Sequence, residues 1–180
     1  MTPELEVVCD VGARLDSAGL SYMLTSSLCL SFYTLPRMTR GVDVVIALPT
    51  TQTQKLLNVL SPAYYVDAEM VRSEAERTGM FNVFHEATAI KIDFIVRKSE
   101  PYRLTEFQRR RRVELEGVPL WIVSREDLIL SKLIWARDSD SDHQLRDVRA
   151  LLNTTLEHDY LETWIKELKL LELWQKAQTP

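Results

Sequence analysis

Apolar and polar positions alternate along this chain in two rhythms, and the switches between them mark the predicted elements. Residues 4–18 place Leu5, Val8, Cys9, Gly12 and Leu15 at helical spacing, with Gly19 positioned to end the last turn. "SYMLT" (21–25) predicts a short strand. "SLCLSFY" (27–33) predicts a helix opening from it and stopping before Pro36, since the residue ahead of a proline is pushed out of the α region. "VDVVIAL" (42–48) is apolar on both faces, as in an interior strand. Pro49 ends it, and Thr50 is placed to cap a helix over 51–60 with Leu56, Leu57 and Leu60 inward.

A polar helix over 67–79 ends at Gly79, and two strands follow, "MFNVFHE" (80–86) and "AIKIDFIV" (89–96). The second alternates Ile90, Ile92 and Phe94 on one face with Lys91, Asp93 and Ile95 on the other. After a polar helix over 102–110, "RVELEG" and "VPLWIV" predict a hairpin turning at Glu116–Gly117. Everything from Ser124 onward carries helical spacing, and "SRED" (124–127) matches an N-capping signature with Asp in place of the usual Glu. The expected layout is a mixed α/β core over 1–123 and a helical part over 124–180, packed as one compact unit.

The 180 residues suffice for one domain with a proper core. A net charge of −4 argues against a protein that is basic overall and binds nucleic acid through its whole surface; the run Arg109–Arg112 is the local exception, either a grip on RNA or an acidic partner or a solvated edge. Cys9 and Cys29 lie in apolar surroundings and are expected to be reduced core residues. The first residues carry no signal-peptide pattern, and no run approaches the ~18 apolar residues of a membrane span. These features predict a soluble, cytoplasmic chain. His85, His143 and His158 share no metal-ligand spacing, and there is no P-loop, Rossmann glycine pattern or Ser-His-Asp set. Trp164 and Trp174 read as core or interface.

Asp43 and Asp93 each sit at the centre of an otherwise apolar strand. If those strands are neighbours, the two carboxylates can converge on one hard divalent ion such as Mg²⁺. Otherwise each lies at a strand end or pairs with a local Lys or Arg. Lys132, inside "LILSKLIWA", either snorkels or points into a polar cleft, and Asp147 meets it only if their helices pack antiparallel. Arg37 and Arg40 can hold phosphate oxygens or remain solvated loop residues.

Three stretches in order, "YMLTSSLCLSFYTLPRMTRGVDVVIAL", "KIDFIV" and "EDLILSKLIWARDSDSDHQLRDV", together resemble the minimal nucleotidyltransferases, the DNA polymerase β-like superfamily that includes AbiEii-type and DUF6036-like proteins. The resemblance implies a small mixed sheet flanked by helices and followed by helices, and in-line transfer of a nucleoside monophosphate from an NTP to a protein or RNA hydroxyl. It implies catalytic roles for Asp43, Asp93 and Lys132, with Asp43 and Asp93 holding Mg²⁺ or Mn²⁺. It also implies nucleotide contacts from Ser26, Ser27, Arg37, Arg40, Lys132 and Asp147. The sequence departs from the pattern at Gly41, where the first Asp of an Asp-x-Asp pair is expected, at Ser26, where glycine is expected, and at Thr34. Glu86 is the nearby acid that could compensate. The degenerate motif opens a second reading, a catalytically impaired relative that binds a nucleotide or a partner protein, as in a toxin–antitoxin-like pair.

Overall fold

A computed structural model describes residues 1–34, 41–139 and 141–179. The elements run α1 (Pro3–Ser17), β1 (Tyr22–Thr25), α2 (Ser26–Tyr33), β2 (Val42–Ile46), α3 (Thr53–Leu60), β3 (Tyr64–Val66), α4 (Ala68–Arg77), β4 (Met80–His85) and β5 (Lys91–Val96). They continue with α5 (Pro101–Gln108), β6 (Arg111–Leu115), β7 (Val118–Ile122), α6 (Arg125–Ser139), α7 (Asp142–Leu151), α8 (His158–Glu167) and α9 (Leu171–Gln178). The strands form one seven-stranded mixed sheet in the order β3-β4-β5-β2-β1-β7-β6. The pairs β2–β5 and β1–β7 are parallel and the remaining pairs antiparallel. The expected mixed α/β arrangement is therefore the one adopted.

Side-chain alternation assigns the two faces of the sheet. Tyr22, Leu24, Val44, Ile46, Ile92 and Phe94 are fully buried on one face. Helix α1 lies on that side and comes so close that a Cβ at Gly12 would stand 2.3 Å from Leu120 Cδ2 and 2.8 Å from the Tyr22 hydroxyl. Helix α3 joins this layer through the Arg14 guanidinium, which donates to the Val59 carbonyl at 3.0 Å. The other face carries Asp43, Val45, Asp93 and Ile95, all half-buried. It is covered by α2 and by α6, whose Leu128, Ile129, Leu130 and Leu133 are fully buried, with α7, α8 and α9 packed outside. Over β4 this second face stays open, and Met80 and Phe84 are exposed there.

Three local details refine the expectations. Thr50 opens a short 3-10 turn, Thr50–Gln52, and the α-helix begins at Thr53, whose hydroxyl donates to the Thr50 carbonyl at 3.0 Å. Strand β3 is three residues at the sheet edge, too short to leave a period in the sequence. The arginine run divides: Arg109 pairs with Asp127 and Glu157 and Arg110 lies over Phe107 and Trp121, while Arg111 and Arg112 are exposed on the edge strand β6, as the solvated-edge reading has it, Arg112 pairing with Asp16 at 2.9 Å. The hairpin expectation holds, with Glu116 (φ 50°) and Gly117 (φ 80°) both left-handed, as a two-residue turn between right-twisted strands requires. Among the described residues no helix is long and apolar enough to cross a membrane.

Candidate functional site

The pairing β1–β2–β5–β4 sets Thr25, Asp43, Asp93 and Asn82 in one row across the sheet. The two aspartates are thus direct neighbours on parallel strands and share the half-open face. Burial first, and the negative charge of Asp93 second, push the Asp43 carboxyl above its ordinary range; the Ser26 hydroxyl, which hydrogen-bonds it, pulls the other way, with smaller help from the charges of Lys91 and Lys132. Lys91 Nζ stands 3.0 Å from Asp93 Oδ2, while the buried Oδ1 of Asp93 has no hydrogen-bond partner.

Ser26 begins α2 directly at the end of β1 with φ 63°, a left-handed conformation that costs an L-residue with a Cβ roughly 1–2 kcal/mol. This is the position at which the resemblance expects glycine, and the backbone takes the glycine conformation with serine in place. The Ser26 side chain reaches Asp43 from the start of α2, and the N-terminal end of a helix is a favourable place for an anion.

Between this turn, the ends of β2 and β5, and the helices α5 and α6 lies a cleft of about 250 Å³. Its polar lining includes Ser26, Asp43, Arg97, Lys98, Arg103, Glu106 and Lys132, and its apolar lining Val45, Ile95, Leu128 and Trp135. Two of the cations are engaged within the protein. Lys132 pairs with Asp147 at 2.8 Å, both buried, and reaches Gln144 Oε1 at 3.2 Å. Arg103 pairs with Glu106 at 2.8 Å and also donates to the Ser131 hydroxyl, which itself donates to Glu106 at 2.5 Å. Burial pushes the Glu106 carboxyl up against the pull of Arg103. Arg97 and Lys98 have no carboxylate partner among the described residues, and the Arg97 Nε is buried without an acceptor, its guanidinium lying 5.0 Å from the Phe107 ring centre.

The structure therefore brings together Ser26, Asp43 and Lys132 around one cleft, with Asp93 beside Asp43. It separates others from it. Ser27 is half-buried and does not line the cleft. Asp147 does not line the cleft itself but pairs with Lys132, which does, and it lines a second groove with Thr34, His143 and Arg146. Arg37 and Arg40 lie outside the described residues. Glu86 lines a groove at the β3 edge with Tyr64 and Tyr65, so it does not replace the missing carboxylate. The sequence placed Lys91 on the Asp93 face and left open a pairing with a local Lys or Arg, which Lys91 makes; it missed Arg97, Lys98, Arg103 and Glu106, and the signal available for Arg97 was its four-residue offset from Asp93, which puts it on the same face.

Whether these residues fit a divalent metal can be tested on the donor set. Among the described residues no three His, Cys, Asp or Glu side chains gather into a metal-binding group. Gly41 offers no side chain, although a Cβ there would meet nothing within 4 Å. One oxygen of Asp93 faces an ammonium and the other is buried. Two carboxylates arranged in this way do not fit the magnesium centre that the resemblance implies.

The raised pKa of Asp43 has a consequence for stability. The folded state binds this proton more tightly than the unfolded state, whose value is near 3.8, so the ionised carboxylate costs stability at neutral pH. Asp43→Asn keeps an acceptor for Ser26 and is expected to stabilise the protein at pH 7 by ~1 kcal/mol. The advantage shrinks as the pH falls through the raised folded-state value of Asp43 toward the unfolded one; urea denaturation of both proteins at several pH values measures it.

No protein-family model and no curated protein sequence matches this chain. Solved structures do. A nucleotidyltransferase-like protein from Paracoccidioides brasiliensis superposes with a TM-score of 0.61 at 17% identity, covering 96% of this chain and 91% of that one. The antibiotic-resistance factor ANT(2″)-Ia in solution gives 0.56 at 13% identity, over 96% of this chain and 95% of its own. A lincomycin-bound lincosamide antibiotic adenylyltransferase gives 0.54 at 12% identity, over 86% of this chain and 98% of its own. At such identities the likeness is one of architecture, and it spans nearly the whole of each molecule. The chain has the nucleotidyltransferase-like fold.

Proposed function

We propose that this chain is a nucleotide-binding protein of nucleotidyltransferase-like fold whose cleft holds the phosphates of a nucleoside triphosphate without transferring the nucleotide. The observation that carries the reading is the pair Arg97 and Lys98, cations without a carboxylate partner among the described residues, at the mouth of a cleft whose other side is the start of α2. In a molecule of net charge −4, a local positive cleft selects an anion. Phosphate oxygens would meet the Arg97 fork and the Lys98 ammonium on one side and the Ser26 turn on the other. The apolar wall of Val45, Ile95, Leu128 and Trp135 suits a base or a ribose face. The adenylyltransferases of this fold make ATP the first triphosphate to try.

The absence of a side chain at Gly41 supports the second half of the reading. In-line transfer needs the leaving and attacking oxygens held and their charge neutralised, and the carboxylates here are too few for that work. Equilibrium dialysis with α-labelled ATP, GTP, CTP and UTP tests binding. The wild-type protein is expected to retain at least one of them, and Arg97→Ala/Lys98→Ala is expected to weaken retention about tenfold or more. Loss of all binding up to millimolar nucleotide by the folded wild type would refute the nucleotide. Incubation with the same nucleotides, Mg²⁺ or Mn²⁺, and RNA or protein acceptors tests transfer. Label moved by the wild type would refute the impaired reading, and label moved by Gly41→Asp alone would support it.

A further inference from the structure

We infer that Lys91 is the resident cation beside the Asp43–Asp93 pair: its ammonium holds the Asp93 carboxylate, so this chain offsets the charge of its paired aspartates with a side chain instead of a metal. Two aspartates in register on adjacent strands, on a half-buried face, repel each other and need positive charge close by. Lys91 lies two residues before Asp93 and so shares its face, and its Nζ is 3.0 Å from Asp93 Oδ2. The pairing of Val42 with Ile92 carries one step further to set Gly41 opposite Lys91. A carboxylate at position 41 would meet that ammonium directly. Glycine leaves open space there, and the lysine head can lie over the pair.

The geometry also opposes the competing occupant. A magnesium ion sheds its waters reluctantly and binds through exposed oxygens. Here one Asp93 oxygen is taken by the ammonium and the other is buried out of reach of a hydrated ion. Lys132, the other nearby lysine, is bound to Asp147, so the positive charge next to Asp93 comes from Lys91. Lys91 itself is 47% exposed, its head at the water-facing rim, where it meets any ion entering from solvent.

The test is a Mn²⁺ titration of the whole protein without nucleotide, followed by loss of the free-ion electron paramagnetic resonance signal, so it stands apart from nucleotide binding. Wild type and Lys91→Arg are expected to bind no Mn²⁺ at this pair. Lys91→Gln and Lys91→Met, checked for folding by circular dichroism, are expected to bind at least about tenfold more tightly than wild type, because a like charge no longer meets the ion. Lys91→Gln/Gly41→Asp is expected to bind more tightly again, and Asp93→Asn in that background abolishes the gain. Wild-type binding that Asp93→Asn removes would overturn the inference. So would folded Lys91→Gln and Lys91→Met proteins that bind Mn²⁺ no better than wild type.

Discussion

Asp147→Leu is expected to destabilise the protein by about 3–5 kcal/mol, because it leaves the Lys132 ammonium buried between α6 and α7 without its counter-charge. Lys132 is 4% exposed and, among the described residues, would keep the Gln144 side-chain oxygen, 3.2 Å away, as its hydrogen-bond acceptor. A neutral acceptor compensates a buried ammonium poorly. For a chain of 180 residues a loss of this size lowers the melting temperature by roughly 10 °C or more. Lys132→Met/Asp147→Leu should recover much of the loss, since an apolar pair of similar volume carries no desolvated charge. A double variant as unstable as Asp147→Leu would show that the pair is not the cause. The measurement also bears on function. A lysine bound at 2.8 Å to a buried carboxylate forms part of the cleft wall, and its effect on a nucleotide must be separated from its effect on the fold.

Asp127→Ala should cost a comparable ~3–5 kcal/mol, by a different route. The carboxylate is fully buried and is the meeting point of three elements. Its Oδ2 accepts from the Ser124 hydroxyl at 2.5 Å and from Arg109 Nε at 3.2 Å, and its Oδ1 accepts from the Tyr160 hydroxyl at 2.5 Å. Burial pushes this carboxyl up, and the three donors oppose that shift without cancelling it. Alanine would leave the buried Ser124 hydroxyl, the half-buried Tyr160 hydroxyl and the Arg109 guanidinium facing a void, at the junction of the end of α5 with the starts of α6 and α8. Asp127→Asn keeps the shape and one acceptor, and its expected loss is smaller. Chemical denaturation of both variants checks the order; equal losses would mean that shape, and not charge, holds the junction.

The parts legible in the sequence were those governed by local periodicity. The alternation Ile92, Asp93, Phe94 placed Asp93 on the face opposite Ile92 and Phe94, and the helical spacing after Ser124 marked α6. Adjacency was another matter. Nothing in "VDVVIAL" or "KIDFIV" says that these strands are parallel neighbours in register, because that depends on crossovers through α3, α4 and β4. Lys91 was placed on the Asp93 face by the alternation, but nothing in the sequence chose between a solvated lysine and one paired with that carboxylate. Glu106 and Ser131 are 25 residues apart, so their hydrogen bond leaves no spacing signal. The SRED signature was read correctly as a cap, with Ser124 Oγ accepting from the Asp127 N–H at 3.1 Å, but not as the core of a network reaching Arg109 and Tyr160.

The in-register pairing of β2 with β5, which sets Asp43 beside Asp93 and Val45 beside Ile95, makes the floor of the cleft a fixed gauge. Adjacent strands lie ~4.8 Å apart because their peptide groups bond at that span, and no loop motion alters it. Slipping β2 by one residue would not loosen the site but turn Asp43 into the opposite layer. The floor can therefore open only when the central strands open, and its amides should exchange hydrogen as slowly as the most protected part of the molecule. Induced fit belongs to the other side. A ligand larger than the cleft must find its extra room by moving α5 or α6, so accommodation will be paid in helix displacement while the aspartates stay at their set spacing.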